Sequence, residues 1–299
     1  MFNTPVVLFV YKRLTTTIEV FNKIKNTKPK VFYLIADGPK NKDENKECIL
    51  VRKFIEDNIN WKCKFVKLYA TCNMGLANRI RTGLDHVFSH EDKAIILEDD
   101  TLPDHSFFSF CENLLIYYND DYNVGHISGC NHYPLAFKSN TSYCLSSIIN
   151  IWGWATWKRA WKHFDLQMPS WNNLNKHDFL KQWCLDSVKR KGMKRMFDLH
   201  CLNEDPWAWS YQWTYACYAN KLLSVMPRIN LVSNLGIGPS GTNTFSKISI
   251  TAYPQIQSSL NEPFTHPSLE RDLSFEKRYY KMSRTPFLRK IKTFLKGIL

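Results

Sequence analysis

Lys93-Ala94-Ile95-Ile96-Leu97-Glu98-Asp99-Asp100 sets three consecutive carboxylates behind a run of four apolar residues. The run reads as a short strand buried on both faces, and Pro103 closes it. Like charges gathered at the end of a buried strand raise the free energy unless a cation or a set of donors sits among them. The triplet is therefore a candidate site for a hard divalent ion, and an acidic loop in solvent is the plain alternative. Glu204-Asp205-Pro206-Trp207 is a second acidic point. A carboxylate among aromatic side chains tends to titrate high and can act as a general base. The same residues also spell a helix start, with Asp205 at the N-cap and Pro206 in the first turn. A third stretch, residues 234–242, is rich in glycine and hydroxyls, and Asn234, Ser240 and Thr242 mark it as either a phosphate-binding loop or a plain connection.

These residues need a scaffold, and the chain before them supplies one. Residues 5–11 read as a first buried strand with Lys12-Arg13 behind it, and Thr15-Thr16-Thr17 can cap the helix that follows. Residues 31–36 form a second strand closing on the turn Asp37-Gly38-Pro39, residues 45–58 have helical spacing, and residues 63–69 read as a third strand. Asn73-Met74-Gly75-Leu76-Ala77 then leads into a helix through Phe88. Strand-helix repetition with polar residues after the strands predicts an open, mostly parallel α/β sheet flanked by helices, with its ligand at the carboxyl ends. Arg13, Asp37, Asn73 and Asp100 then converge on one crevice, as a nucleotide site would require.

Further on, residues 107–118 form an amphipathic helix and residues 124–129 resume strand character before Cys130-Asn131-His132-Tyr133-Pro134. Nine of the ten tryptophans fall between Trp152 and Trp213, so aromatic mass is concentrated in the second half. Indole faces fill cores and also stack on sugar rings; most are expected in the core, with one or two lining a cleft. Gly153, between two indoles, suggests a close backbone approach.

With 299 residues, 44% of them hydrophobic, the chain can bury a full core as one large domain or two packed halves. No apolar run reaches the roughly 18–20 residues of a membrane span, and the first residues lack a signal-peptide layout, which points to the cytoplasm. Nine cysteines without a Cys-x-x-Cys pair fit reduced thiols better than a disulfide framework or a zinc site. A formal charge of +13 calls for an anionic partner, yet no nucleic-acid motif is present. Eight Lys/Arg and no acid lie between residues 277 and 299. Within residues 285–299 the apolar side chains share one helical face, which is the pattern of a basic interfacial helix on an anionic bilayer or of a terminal helix docked on the domain.

Taken in order, Phe9-Val10-Tyr11-Lys12-Arg13, Ala36-Asp37-Gly38-Pro39, Asn73-x-Gly75-Leu76-Ala77-Asn78, Leu97-Glu98-Asp99-Asp100, Trp152-Gly153-Trp154-Ala155-Thr156-Trp157 and Asn234-x-Gly236 with Ser240-Gly241-Thr242 resemble bacterial family 2-like sugar transferases of the GT-A fold. The set is also distantly similar to the N-acetylglucosaminyltransferase I group, which likewise carries Glu-Asp-Asp after a buried strand. The resemblance covers about residues 5–245. It implies a catalytic domain over 1–245, with a nucleotide-sugar half over 1–100 and an acceptor half over 101–245, and a C-terminal extension over 246–299. It further implies that Val10, Tyr11, Arg13, Asp37, Asn73, Arg79 and Asp99 hold the nucleotide sugar and that Asp100 holds a divalent ion, manganese or magnesium. Asp205, with Glu204 beside it, takes the place of the catalytic base, and His132, Trp152, Trp154 and Trp207 border the acceptor. Where many relatives complete the metal shell with a late histidine, this chain has Asn234. The implied activity is inverting transfer from a nucleotide sugar, a UDP-sugar above all, to a lipid-linked or surface glycan of lipopolysaccharide, O-antigen or capsule type, at the inner face of the cytoplasmic membrane. A sugar nucleotidyltransferase is the rival enzyme, but Tyr11-Lys12-Arg13-Leu14-Thr15 lacks the glycine-rich loop expected of it. A non-catalytic glycan- or membrane-binding module is the rival outside enzymes.

Overall fold

The computed structural model describes residues 2–204, 206–236 and 259–296, with side chains as far as Arg284. Three strand-helix units open the chain: β1 (Val6–Val10), α1 (Leu14–Thr27), β2 (Val31–Ala36), α2 (Lys42–Asn58), β3 (Lys64–Tyr69) and α3 (Leu76–His90). The run before the acidic triplet is β4 (Lys93–Glu98), followed by the short β5 (Thr101–Pro103), α4 (His105–Tyr117) and β6 (Val124–Ser128). Then come β7 (Tyr143–Ser146), β8 (Trp154–Trp157), α5 (Lys158–Trp161), α6 (Lys176–Trp183), α7 (Ser187–His200), α8 (Ser210–Ala219), β9 (Leu223–Pro227), β10 (Val232–Asn234) and α9 (Leu273–Lys296).

Eight strands pair in the order β3-β2-β1-β4-β8-β6-β9-β7. β1 to β4 run parallel, and β6 runs parallel to β9; β8 is antiparallel to both its neighbours, as β7 is to β9. The sheet is thus mostly parallel, as the strand-helix repetition predicts. Every residue of β1 is buried, which suits a central strand covered on both faces, whereas β3 is partly exposed along its length and lies outermost. Strand alternation divides the core. Val6, Leu8 and Val10 meet Phe21 and Ile24 of α1 and Phe110 and Leu114 of α4 on one face; Val7 and Phe9 meet Ile80, Leu84 and Val87 of α3 on the other. The three threonines do not cap α1: it begins at Leu14 with Arg13 at the N-cap, and the Thr17 hydroxyl donates back to the Arg13 carbonyl at 2.6 Å.

A polar layer crosses the core where β6 meets β8 and β9. His126 is fully buried; its Nε2 lies 2.9 Å from the Asn150 carbonyl, and Trp213 Nε1 donates to its Nδ1 at 3.1 Å. Those partners require the neutral tautomer with the proton on Nε2, and burial lowers the imidazole pKa to about 4. The unfolded chain therefore binds a proton between roughly pH 6.5 and 4 that the native state refuses, so stability is complete above pH 6.5 and falls as pH drops toward 4. The gap corresponds to about 3 kcal/mol. Urea unfolding at pH 7.5 and 5.0 checks this, and the difference between the two should shrink in His126→Phe even though that variant is weaker at both.

The C-terminal extension is part of the fold. Its helix begins at Leu273, a dozen residues before the basic stretch, and Phe275, Tyr279 and Tyr280 pack against Phe137, Cys144, Ile148 and Met226. Glu276 is completely buried; it takes hydrogen bonds from the Ser146 and Ser147 hydroxyls, the Ser147 amide and Arg271, with the ion pair to Arg271 at 2.6 Å. Asp272 N donates to the Leu145 carbonyl at 2.8 Å. The same helix continues to Lys296, and the side-chain pattern expected over residues 285–299 lies outside the described side chains. Among the described residues no helix is long and apolar enough to cross a membrane. All nine cysteines are free thiols, six of them buried.

Candidate functional site

In an open sheet the crevice opens where connections leave neighbouring strands in opposite directions. In this order that point lies between β1, whose chain turns out toward β2 and β3, and β4, whose chain turns toward β8 and β6. Arg13 follows β1; Glu98 ends β4, and Asp99 and Asp100 follow it. Asp99, 3% exposed, accepts from the Tyr11 backbone N–H at 3.3 Å and pairs with the Arg13 guanidinium, which also reaches Asp100 Oδ2 at 2.8 Å. Both acids hold Arg13 above its ordinary pKa although burial pulls the other way. Burial raises the Asp99 carboxyl against the opposing pull of Arg13; it also raises Glu98, where the charges of Asp100 and Asp99 add to the effect. The Glu98 backbone closes a tight turn with the Thr101 hydroxyl, donating to it at 2.8 Å and accepting from it at 2.9 Å.

The far side of this crevice is built from the loops after β2 and β3. Asp37 Oδ1 accepts from the amides of Gly38 and Met74 at 2.8 and 2.9 Å, and its Oδ2 accepts from Asn73 at 3.0 Å. Asp37 N in turn donates to the Val10 carbonyl at 3.2 Å. Asp37 therefore ties three strand ends together, as the turn-forming reading of it requires. A Cβ on Gly38 would collide with the Cys72 backbone, so the loops close only around glycine. The expected role of Tyr11 needs a correction for its hydroxyl, which is committed to Glu44 of α2; Lys12 joins the same carboxylate at 2.8 Å. Arg79 is likewise bent inward, its guanidinium bonded to the Leu68 carbonyl and its Nε buried with no partner among the described residues. Burial pulls its pKa down.

The acceptor side is less uniform. Trp152 stands edge-on to His132, with ring centroids 4.7 Å apart, beside the carboxyl end of β6, and burial lowers the His132 pKa to about 4. Trp154 contradicts its expected role. It is fully buried, stacked between His126 at 5.3 Å and Trp209 at 5.4 Å, so no sugar can reach its face. Trp207, by contrast, is 57% exposed. Glu204 is exposed, and Asp205 lies outside the described residues. The helix-start reading of Asp205-Pro206 is not met, since α8 begins at Ser210 with Trp209 at its N-cap. The Trp209–Trp154 stack holds this segment against the start of β8, and Trp154 pairs with Ile96, two residues before Glu98. His200 went unread in the sequence. It is fully buried at the end of α7, its ring 5.0 Å from Trp207 and 5.6 Å from Tyr211, with neither nitrogen hydrogen-bonded among the described residues. The available signal was a lone histidine four residues before the acidic segment.

β10 brings the late loop back. It pairs with β5, setting Asn234 opposite Thr101, and Leu235 N donates to the Asp100 carbonyl at 2.7 Å. Asn234 Oδ1 accepts from Gly236 N at 2.7 Å, and a Cβ on Gly236 would strike the Asp100 carboxylate. The turn after β10 thus meets Asp100 through Leu235 and Gly236, while the Asn234 side chain is turned to Gly236, and Ser240 and Thr242 lie outside the described residues. Gly153, at φ +59°, accepts from Gly129 N at 2.7 Å, which is the close approach its neighbours suggested.

The electrostatic question posed by the triplet has a partial internal answer, because Arg13 supplies one cation. Three carboxylates against one guanidinium leave a charge of −2 when all are ionised, which a single divalent ion neutralises. Among the described residues no three His, Cys, Asp or Glu side chains form a ready-made metal cage. An ion held by one or two carboxylates, with substrate phosphates and water completing its shell, needs no such cage, and the oxygen donors of Glu98 and Asp100 fit that arrangement.

No family model matches the sequence, and no curated protein matches it. Among solved structures, the mannosyltransferase PcManGT of Pyrobaculum calidifontis, in complex with GDP-Man and Mn2+, aligns at 14% identity over 53% of this chain and 45% of its own, with a TM-score of 0.37. The chain thus spans under half of that protein's length. HddC of Yersinia pseudotuberculosis, complexed with GMP-PN, aligns at 11% identity over 52% of this chain and 78% of its own, with a TM-score of 0.33. The 4-diphosphocytidyl-2C-methyl-D-erythritol synthase of Anaerococcus prevotii aligns at 9% identity over 83% of this chain and 95% of its own, with a TM-score of 0.34.

Proposed function

We propose that this chain is an inverting glycosyltransferase of the family 2-like GT-A type, moving a sugar from a nucleotide sugar, taken here as a UDP-sugar, to a hydroxyl of a lipid-linked or surface glycan. The observation that carries the reading is the meeting of Arg13 with Asp99 and Asp100 at the carboxyl ends of β1 and β4, where an open α/β sheet receives its ligand. In this reading the backbone at Val10 and Tyr11, with Asp37 and Asn73, holds the nucleoside, Arg79 braces the strand end behind them through the Leu68 carbonyl, and Asp99 lies beside the ribose. Asp100, with Glu98, would hold manganese or magnesium, which supplies neutralisation of the charge left on the departing diphosphate. Arg13 adds a fixed positive charge at the same place. Asp205 removes the acceptor hydroxyl proton from the opposite face of the sugar, so that one in-line displacement inverts the anomeric centre. Trp207, Trp152 and His132 border the acceptor. The test is thermal stabilisation by UDP with manganese, followed by UDP release from UDP-sugars. Absence of stabilisation by any nucleoside diphosphate overturns the reading, and pyrophosphate release from UTP with a sugar 1-phosphate would assign the chain to the nucleotidyltransferases instead.

We also place the enzyme at the inner face of the cytoplasmic membrane. Supporting this, α7 exposes Lys189, Lys191, Lys194 and Arg195, and the remaining basic residues of α9 follow Arg284 toward the end of the chain. Deleting residues 285–299 spares the buried contacts of Phe275, Glu276 and Tyr279, so the shortened chain should stay folded but move from the membrane to the soluble fraction. Sedimentation with vesicles containing phosphatidylglycerol checks it; unchanged partitioning counts against a membrane role for the tail.

A further inference from the structure

A cavity of about 380 Å3 opens between one flank of α3 and the segment after α5. Asn78, Arg81 and Asp85 line one wall, at a spacing that repeats along a single helical face, and Phe164, Asp165 and Gln167 form the other. Asn78 lies in the first turn of α3, at the carboxyl edge of the sheet where the candidate site lies. The second wall is fixed. Phe164 stacks on Trp161 at 4.2 Å, Trp161 Nε1 donates to Asp85 at 2.9 Å, and Gln167 is bound twice to the segment that leads into Glu204. Leu202 N donates to the Gln167 carbonyl at 2.9 Å, and Gln167 Nε2 donates to the Asn203 carbonyl at 3.0 Å. Capacity remains for a ligand. Arg81 has only a 3.7 Å ion pair to Asp85, and neither the Asn78 amide nor Gln167 Oε1 has a hydrogen bond among the described residues.

Planar amides, carboxylates and a guanidinium around one aromatic ring match the dense hydroxyls and apolar C–H face of a pyranose. Two carboxylates against one cation disfavour a phosphate, and the walls are too polar for a lipid chain. We infer that this cavity is a subsite for an uncharged sugar ring of the acceptor, held beside the segment that carries Asp205. The inference rests on the transferase reading above and extends it to a surface that reading does not use.

Saturation-transfer NMR on the full chain with the methyl glycosides of glucose, galactose, mannose and N-acetylglucosamine tests it. At least one should bind, and Arg81→Ala and Asn78→Ala should each weaken that binding about tenfold, the loss expected for a hydrogen bond involving a charged or buried partner. Both residues are partly exposed, so the variants should fold, which unchanged melting temperatures verify. No binding by any of the four, or binding that both variants retain, overturns the proposal. Displacement of the glycoside by UDP-glucose would make the cavity the donor's and overturn its assignment to the acceptor. Stabilisation by UDP and manganese, read on the same samples, separates the two failures: if it persists while glycoside binding is absent, only the cavity assignment falls.

Discussion

Asp205→Asn is expected to abolish sugar transfer while leaving donor binding nearly intact. The substitution keeps the size of the side chain and removes its ability to take a proton, and a positioned general base typically contributes 10²–10⁴-fold to rate. The described residues on either side are anchored, Leu202 and Asn203 by Gln167 and Trp209 by its stack on Trp154, so the substitution should leave the flanking chain undisturbed. UDP release from the donor should fall by about that factor, while the melting-temperature rise produced by UDP with manganese stays the same. Glu204→Gln is the companion measurement, because an equally acidic neighbour stands one residue earlier. Full activity in the Asp205 variant removes the assignment, and a loss confined to the Glu204 variant transfers it.

Arg13→Ala should be the most damaging single change where β1 and β4 end, and the damage should reach stability as well as the nucleotide binding proposed above. Asp99 is buried and its partners are the Tyr11 amide and the Arg13 guanidinium, which also bridges to Asp100. Removing one member of a buried pair typically destabilises by about 3–5 kcal/mol, because the other charge is left uncompensated. Arg13 retains some exposure, which favours the lower end, about 3 kcal/mol. Urea unfolding at neutral pH reads this directly. Arg13→Lys should recover only part of it, since an ammonium cannot reproduce the planar donor set that spans two carboxylates. An unchanged unfolding midpoint in Arg13→Ala would mean that the triplet is solvated in the native state.

Local signals carried the first half of the fold. The runs read as strands over 5–11, 31–36 and the apolar 94–97 are short and punctuated by turn formers or charge, and β1, β2 and β4 fall on them to within a residue at each end. Long-range pairing had no such signal. That β8 would turn over and wedge antiparallel between β4 and β6 follows from contacts between distant segments, and Trp154 reads the same in sequence whether it faces a sugar or Trp209. The convergence of Arg13 with Asp99 and Asp100 was legible as proximity, because all follow parallel strands; that the chain would furnish one cation itself was not. The docking of α9 was hidden for a similar reason. Lysine and arginine interleave Phe275, Tyr279 and Tyr280, so the segment reads as basic, and only the burial of Glu276 against Arg271 reveals which face turns inward.

That last contact bears on how the molecule behaves in a crowded solution. β7 is the final strand of the sheet, and an open strand border invites a second chain to add itself. Here Leu145 of β7 is already engaged by Arg271 and by the Asp272 amide, and α9 rises directly from those residues. The segment that leads into α9 thus also shields β7, and removing the chain from Arg271 onward would uncover that border for pairing with a second chain.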